Sequence, residues 1–219
     1  MGSMVSLKAA DGHVLDAYLA PAQGKERGAV VVVQEIFGVN SHIKAVVDQY
    51  AAAGYRSIAP ALFDRLQRNL TLPYTDMAGG IACIQKLKDD ETLLDLKAAI
   101  DQVRGAGKVG VVGYCWGGTL SYLAAARLDV AAAVSYYGGF IPNYMDVKLR
   151  VPVMFHFGEK DSHIPLATVE KIKAAHPQQI YHLYPAEHGF NCTDRASFDA
   201  PSAKLAFERS IDFFKKHIG

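Results

Sequence analysis

The run Gly113-Tyr114-Cys115-Trp116-Gly117-Gly118 constrains the chain more than any other segment. It follows the apolar run 109–112, which reads as a buried strand. It precedes the Ala- and Leu-rich stretch 119–127, which reads as a helix. A strand that bends into a helix so sharply needs glycine on both sides of the bend. Side chains there collide with the neighbouring strand and helix. One reactive side chain, Cys115, stands at the centre. This is the pattern of a nucleophile elbow, in which Ser is usual and Cys is the substitution. A thiol at a helix N-terminus meets free N–H groups and the positive end of the helix dipole, and both favour the thiolate. The alternative is a glycine-tight turn around a buried, inert cysteine.

Strand and helix patterns alternate along the rest of the chain. Residues 13–19 alternate polar and apolar like a half-exposed edge strand, after the turn signal Asp11-Gly12. Residues 29–33, 56–59, 130–137, 153–157 and 180–184 read as further strands. Helical spacing predicts helices from Asn40 to a stop at Gly54, and over 75–87, 91–103, 166–176 and 200–216. Such alternation implies an α/β fold with a mostly parallel sheet and helices on both faces. In such sheets ligands sit beyond the carboxyl ends of the strands. With 219 residues, 50% of them hydrophobic, residues 4–219 are read as one domain. Gly2-Ser3 ahead of a second Met marks residues 1–3 as an expected expression scar.

Composition excludes several partner classes. A net charge of +1 gives no electrostatic case for nucleic acid or an anionic membrane. No run approaches the roughly 18 apolar residues of a membrane span. The start of the chain has no basic and apolar secretion signal, so a cytoplasmic location is expected. Three widely spaced cysteines without C-x-x-C argue against a disulfide framework or a zinc cluster. No H-E-x-x-H or similar spacing occurs, so no metal and no cofactor are expected. Oligomeric state is not fixed by the sequence, and a monomer is compatible with it.

A thiol nucleophile requires a base, and the base requires an orienting group. Asp161 follows the strand pattern 153–157 and His188 follows the strand pattern 180–184, giving the order Cys115, Asp161, His188. That is the chain order of an elbow-type triad. Glu159 rivals Asp161, which also fits a helix or turn cap. His163 rivals His188. His156 and His182 fall inside strands and read as structural, while His13, His42, His176 and His217 read as surface or helix-end residues. The oxyanion hole is expected at the backbone N–H groups of Trp116 and Ile36. Glu35 is unexpected beside a thiol, because like charges disfavour the thiolate. Its plain alternative is a surface-loop carboxylate.

Together, the loop Gln34-Glu35-Ile36-Phe37-Gly38-Val39-Asn40, the elbow, Asp161 and His188 make the chain resemble the dienelactone hydrolase (carboxymethylenebutenolidase) family. The resemblance implies an α/β-hydrolase domain that opens a cyclic enol-lactone, dienelactone, to maleylacetate. It implies Cys115 as nucleophile, His188 as base, Asp161 as its orienter, and Glu35 as a group that restrains the resting thiol. It also implies two arginines for the substrate carboxylate. Arg65 fits the first place, with Arg68 nearby. Cys192 stands in the second, with Arg195 three residues further on. This departure favours an alternative, a broad carboxylesterase or thioesterase acting on neutral esters. A catalytically silent ligand-binding protein of the same fold is the third possibility. The partner expected in every case is a small molecule.

Overall fold

The computed structural model describes all residues, 1–219. Eight strands form one sheet in the order β1-β2-β4-β3-β5-β6-β7-β8. They are β1 Ser3–Lys8, β2 Val14–Ala20, β3 Gly28–Val33, β4 Tyr55–Pro60, β5 Val109–Tyr114, β6 Ala132–Tyr136, β7 Val153–Gly158 and β8 Ile180–Tyr184. β1 pairs with β2 and β2 with β4 antiparallel, and every pairing from β4 to β8 is parallel. The central strands β3, β5, β6 and β7 are buried along their whole length. That is why they read as near-continuous apolar runs, broken only by Ser135 and His156, rather than alternating ones.

Six helices cover the sheet: α1 Ser41–Ala52, α2 Met77–Lys86, α3 Asp89–Val103, α4 Trp116–Arg127, α5 Leu166–Ala175 and α6 Ala200–His217. α1 and α6 meet through Tyr50 packed against Phe207 and Phe214. α3 and α4 pack together over β3, β4, β5 and β6. Asn40 caps α1 by accepting from the Ile43 N–H, and Asp76 caps α2 by accepting from the Gly79 N–H. The second cap explains why α2 starts two residues later than its apolar pattern suggests.

Two expectations require correction. Residues 14–20 are not the edge of the sheet, because β1 lies outside them. Only Leu7 of β1 is buried, so the strand carries too weak a pattern to be read, and its pairing with β2 creates it. The pairing includes Ser3 opposite Leu19. His42 does stand at a helix end, second in α1, but it is buried rather than on the surface, and its Nε2 has no hydrogen-bond partner.

His156, expected to be structural, is fully enclosed beneath α6. Its Nδ1 lies 2.8 Å from the Tyr184 hydroxyl and its Nε2 lies 3.1 Å from Ser210 Oγ, which also meets the Tyr136 hydroxyl at 2.8 Å. Burial, and then the neighbouring His182 and Arg209, hold the imidazole well below its ordinary pKa of 6.5. The unfolded chain therefore takes up a proton below that value which the folded chain refuses. Stability due to this site is complete above about pH 6.5 and is lost as the pH falls. Urea unfolding from about pH 7.5 to about pH 5.5 tests this. His156→Gln should flatten the acid loss by up to about 1.4 kcal/mol per pH unit. An unchanged slope would remove His156 as its source.

Candidate active site

β5 ends at Tyr114 and α4 begins at Trp116, leaving Cys115 alone in the bend with φ 55° and ψ −116°. A non-glycine residue at positive φ costs about 1–3 kcal/mol unless its surroundings enforce it. Here they do. The Cys115 N–H donates to the Tyr136 carbonyl at 3.0 Å, and the Cys115 carbonyl accepts from Gly118 N–H at 2.9 Å. A Cβ at Gly113 would strike the Gly117 carbonyl, and one at Gly117 would strike the Gln34 carbonyl. The glycines thus press the elbow against the loop that follows β3. Trp116 opens α4, so its N–H belongs to the first helical turn, where donors lack intrahelical partners.

β7 and β8 deliver the other two groups. Asp161 and His188 are buried, and His188 Nδ1 meets Asp161 Oδ2 at 2.8 Å. Asp161 Oδ1 accepts from the N–H groups of His163 and Ile164 at 2.8 and 3.1 Å, which fixes the carboxylate plane. Burial works against the Asp161 charge. Its bond to His188, the imidazole charge and the two N–H donors outweigh it and hold the carboxyl below the ordinary range. Burial likewise opposes a charge on His188. The Cys115 sulfur and then the Asp161 bond overcome it, and His188 is pushed up to about 10. The His163 ring packs edge-on against His188, with centroids 5.1 Å apart, and Asp161 bonds only its backbone.

The loop after β3 brings Glu35 and Ile36 to the same end of the sheet. Gln34 braces it: its Nε2 donates to the Glu35 carbonyl and its Oε1 accepts from Leu62 N–H, both at 3.2 Å. Glu35 is buried and neither carboxylate oxygen has a hydrogen-bond partner. Arg195 Nη1 stands 3.5 Å from Glu35 Oε1. Neither oxygen bonds the Cys115 thiol. Gly80 of α2 lies against the Ile36 carbonyl, where a Cβ would come within 2.6 Å.

Cys115 and His188 face one cavity of about 240 Å³, whose walls include Ile36, Met77, Ile81, Ile84 and Phe140. The α2 side chains were not legible as pocket residues. The helix was readable from its spacing, but nothing local in 77–84 says which element its apolar residues face. Tyr136, Tyr137 and Phe190 are fully buried, and with Tyr74 they lie outside this wall.

The sequence pattern of the dienelactone hydrolase family matches residues 15–218. A carboxymethylenebutenolidase of Pseudomonas putida is 32% identical over 95% of this chain and 94% of its own length. A Synechocystis protein provisionally given the same name is 36% identical over 92% and 91%. The chain belongs to the dienelactone hydrolase family. A Klebsiella pneumoniae crystal structure, provisionally named a dienelactone hydrolase, superposes with a TM-score of 0.86 at 30% identity, covering 98% of this chain and all of that one. The architecture is the α/β-hydrolase fold, and the family makes the chain a hydrolase of ester or lactone bonds.

The two positions expected to meet a substrate carboxylate, Arg65 and Cys192, make other contacts. Arg65, expected to bind substrate, is committed elsewhere. Its Nε and Nη2 donate to both oxygens of buried Asp95 at 2.7 Å, and its Nη1 pairs with Asp11 at 2.9 Å. No lysine or arginine borders the Cys115 cavity. Cys192 is buried. Burial, and then the Glu35 charge, push its thiol up to about 12, so it remains protonated. All three cysteines are free. Arg195 approaches Glu35 but does not border the cavity.

We propose that Arg65 acts on stability through these ion pairs. Arg65→Ala would leave the Asp95 carboxylate buried and unpaired, at a cost of about 3–5 kcal/mol in urea unfolding. A rise in KM without this loss of stability would return Arg65 to the substrate site.

Proposed function

We propose that the chain hydrolyses an uncharged ester or lactone through an acyl-cysteine intermediate. The reading rests on Cys115, held in a strained elbow, sharing an apolar cavity with an imidazole that Asp161 braces. The Cys115 sulfur attacks the carbonyl carbon as thiolate. The resulting oxyanion lies between the N–H groups of Trp116 and Ile36, where one such donor is worth about 10²–10³ in rate. The carbon–oxygen bond breaks as the His188 imidazolium gives its proton to the leaving alkoxide. In a lactone that alcohol stays attached at the ring-opened end. Water then attacks the thioester, His188 takes its proton, and the carbon–sulfur bond breaks to release acid and restore the thiolate. Asp161 holds the imidazole in the required tautomer. Glu35 is buried near the site with Arg195 beside it and takes no proton in these steps. No step requires a cofactor.

A specific observation favours a second reading, dienelactone opened to maleylacetate. Arg195 is mostly buried and reaches Glu35, so a guanidinium lies close behind the site although the family's position holds Cys192. Steady-state rates on dienelactone and on a neutral aryl ester, at matched concentration, separate the two. The uncharged-substrate reading expects the higher kcat/KM on the neutral ester. A strong preference for dienelactone would overturn it in favour of the second.

The mechanism fixes a pH dependence. The acid form of His188 is favoured up to about pH 10, so kcat/KM should hold through neutrality and fall as the pH rises through that value. Asp161→Asn removes a contact that favours the imidazolium. The alkaline limb should move to lower pH, and kcat should drop by up to about 10⁴. An unmoved limb in the variant would separate Asp161 from the base.

A further inference from the structure

The Cys115 cavity has a neighbour. A second cavity of about 250 Å³ lies between α2, α4 and the short 3₁₀ helix Ile141–Tyr144. The two share Ile84 and Phe140 as a common wall. Trp116, next in sequence to Cys115, places its side chain in the second cavity, whose apolar lining continues through Leu120 and Leu123 of α4. Sites for small organic ligands usually measure about 300–1,000 Å³. The catalytic cavity alone falls short of that range, and the pair falls within it.

Three observations point to an apolar occupant. Phe140 and Ile81 are 40% and 41% exposed at the rim, and α2, which carries Ile81 and Ile84, buries only Gly80. Large apolar side chains gathered at the mouth of a site mark a surface that a ligand covers. No lysine or arginine borders the second cavity. Its one charged group is Asp89, which accepts from the Tyr144 hydroxyl at 2.7 Å and would repel a carboxylate entering beside it.

We infer that the second cavity is a subsite for an uncharged, apolar arm of the substrate, a chain of several carbons or an unsubstituted ring. The arm enters past Ile84 and Phe140 while the ester carbonyl sits at Cys115. The inference deepens the hydrolase reading and rests on it. The arm belongs either to the acyl side or to the alcohol side, and the chemistry recognised is the same.

Trp116 is the sole tryptophan of the chain, so its emission reports occupancy of the second cavity. Cys115→Ala protein, which cannot turn over, is titrated with ethyl hexanoate, hexyl acetate and ethyl acetate. A long acyl arm, a long alcohol arm or both should give a saturable emission change, and ethyl acetate should give none. Adding Gln85→Phe fills the cavity from the exposed side of α2 without a second tryptophan, and should weaken the response at least about ten-fold. No response to either long ester, or an equal response after Gln85→Phe, would overturn the subsite. Wild-type kinetics on the same esters separate the two claims. Trp116 responding without any turnover would sink the hydrolase reading and leave the subsite. Turnover with a silent Trp116 would do the reverse.

Discussion

The site depends on backbone contact at the elbow. Cys115 occupies a left-handed conformation that a non-glycine residue avoids. It is kept there because Gly113 and Gly117 allow β5, α4 and the loop after β3 to touch through main-chain atoms. That contact presents the sulfur above the sheet and starts α4 at the next residue. It also draws the Gln34 carbonyl, and with it Glu35 and Ile36, to the same edge. A side chain at either glycine would push these elements apart and dissolve the thiol's surroundings before touching the thiol.

Around this contact the sheet supplies partners from the carboxyl ends of its parallel strands. β3 contributes the Glu35 loop, β7 Asp161 and β8 His188. The Asp161–His188 pair is buried and fully bonded on its acidic side, so its geometry does not depend on substrate. Glu35 is its opposite, a buried carboxylate with no hydrogen bond and a guanidinium 3.5 Å away. A change of partner there breaks no hydrogen bond and disturbs one ion pair.

Much of this was legible in the chain. Near-continuous apolar runs identify fully buried strands, and small residues around a lone cysteine identify the elbow. Asp161 and His188 were legible because each follows a strand pattern. The errors share one cause. Arg65 stands where a substrate arginine is expected, but its partner Asp95 lies on α3, and a pairing across thirty positions leaves no local trace. His42 shows helical spacing and a polar ring, and only the packing of α1 buries it. β1 exists through its pairing with β2. The α2 wall of the cavity went unread because Met77, Ile81 and Ile84 meet Cys115 and His188 only through the tertiary fold.

The central claim is that bond cleavage passes through a covalent bond to the Cys115 sulfur. The most direct test is intact-protein mass spectrometry after rapid acid quenching of the His188→Ala protein mixed with an activated aryl ester. Without the base, deacylation should lag behind acylation. The account predicts a mass increase equal to one acyl group, located by peptide mapping on Cys115 and absent from Cys83 and Cys192. Product release with no adduct, or an adduct that persists when Cys115 is replaced by Ala, would contradict it.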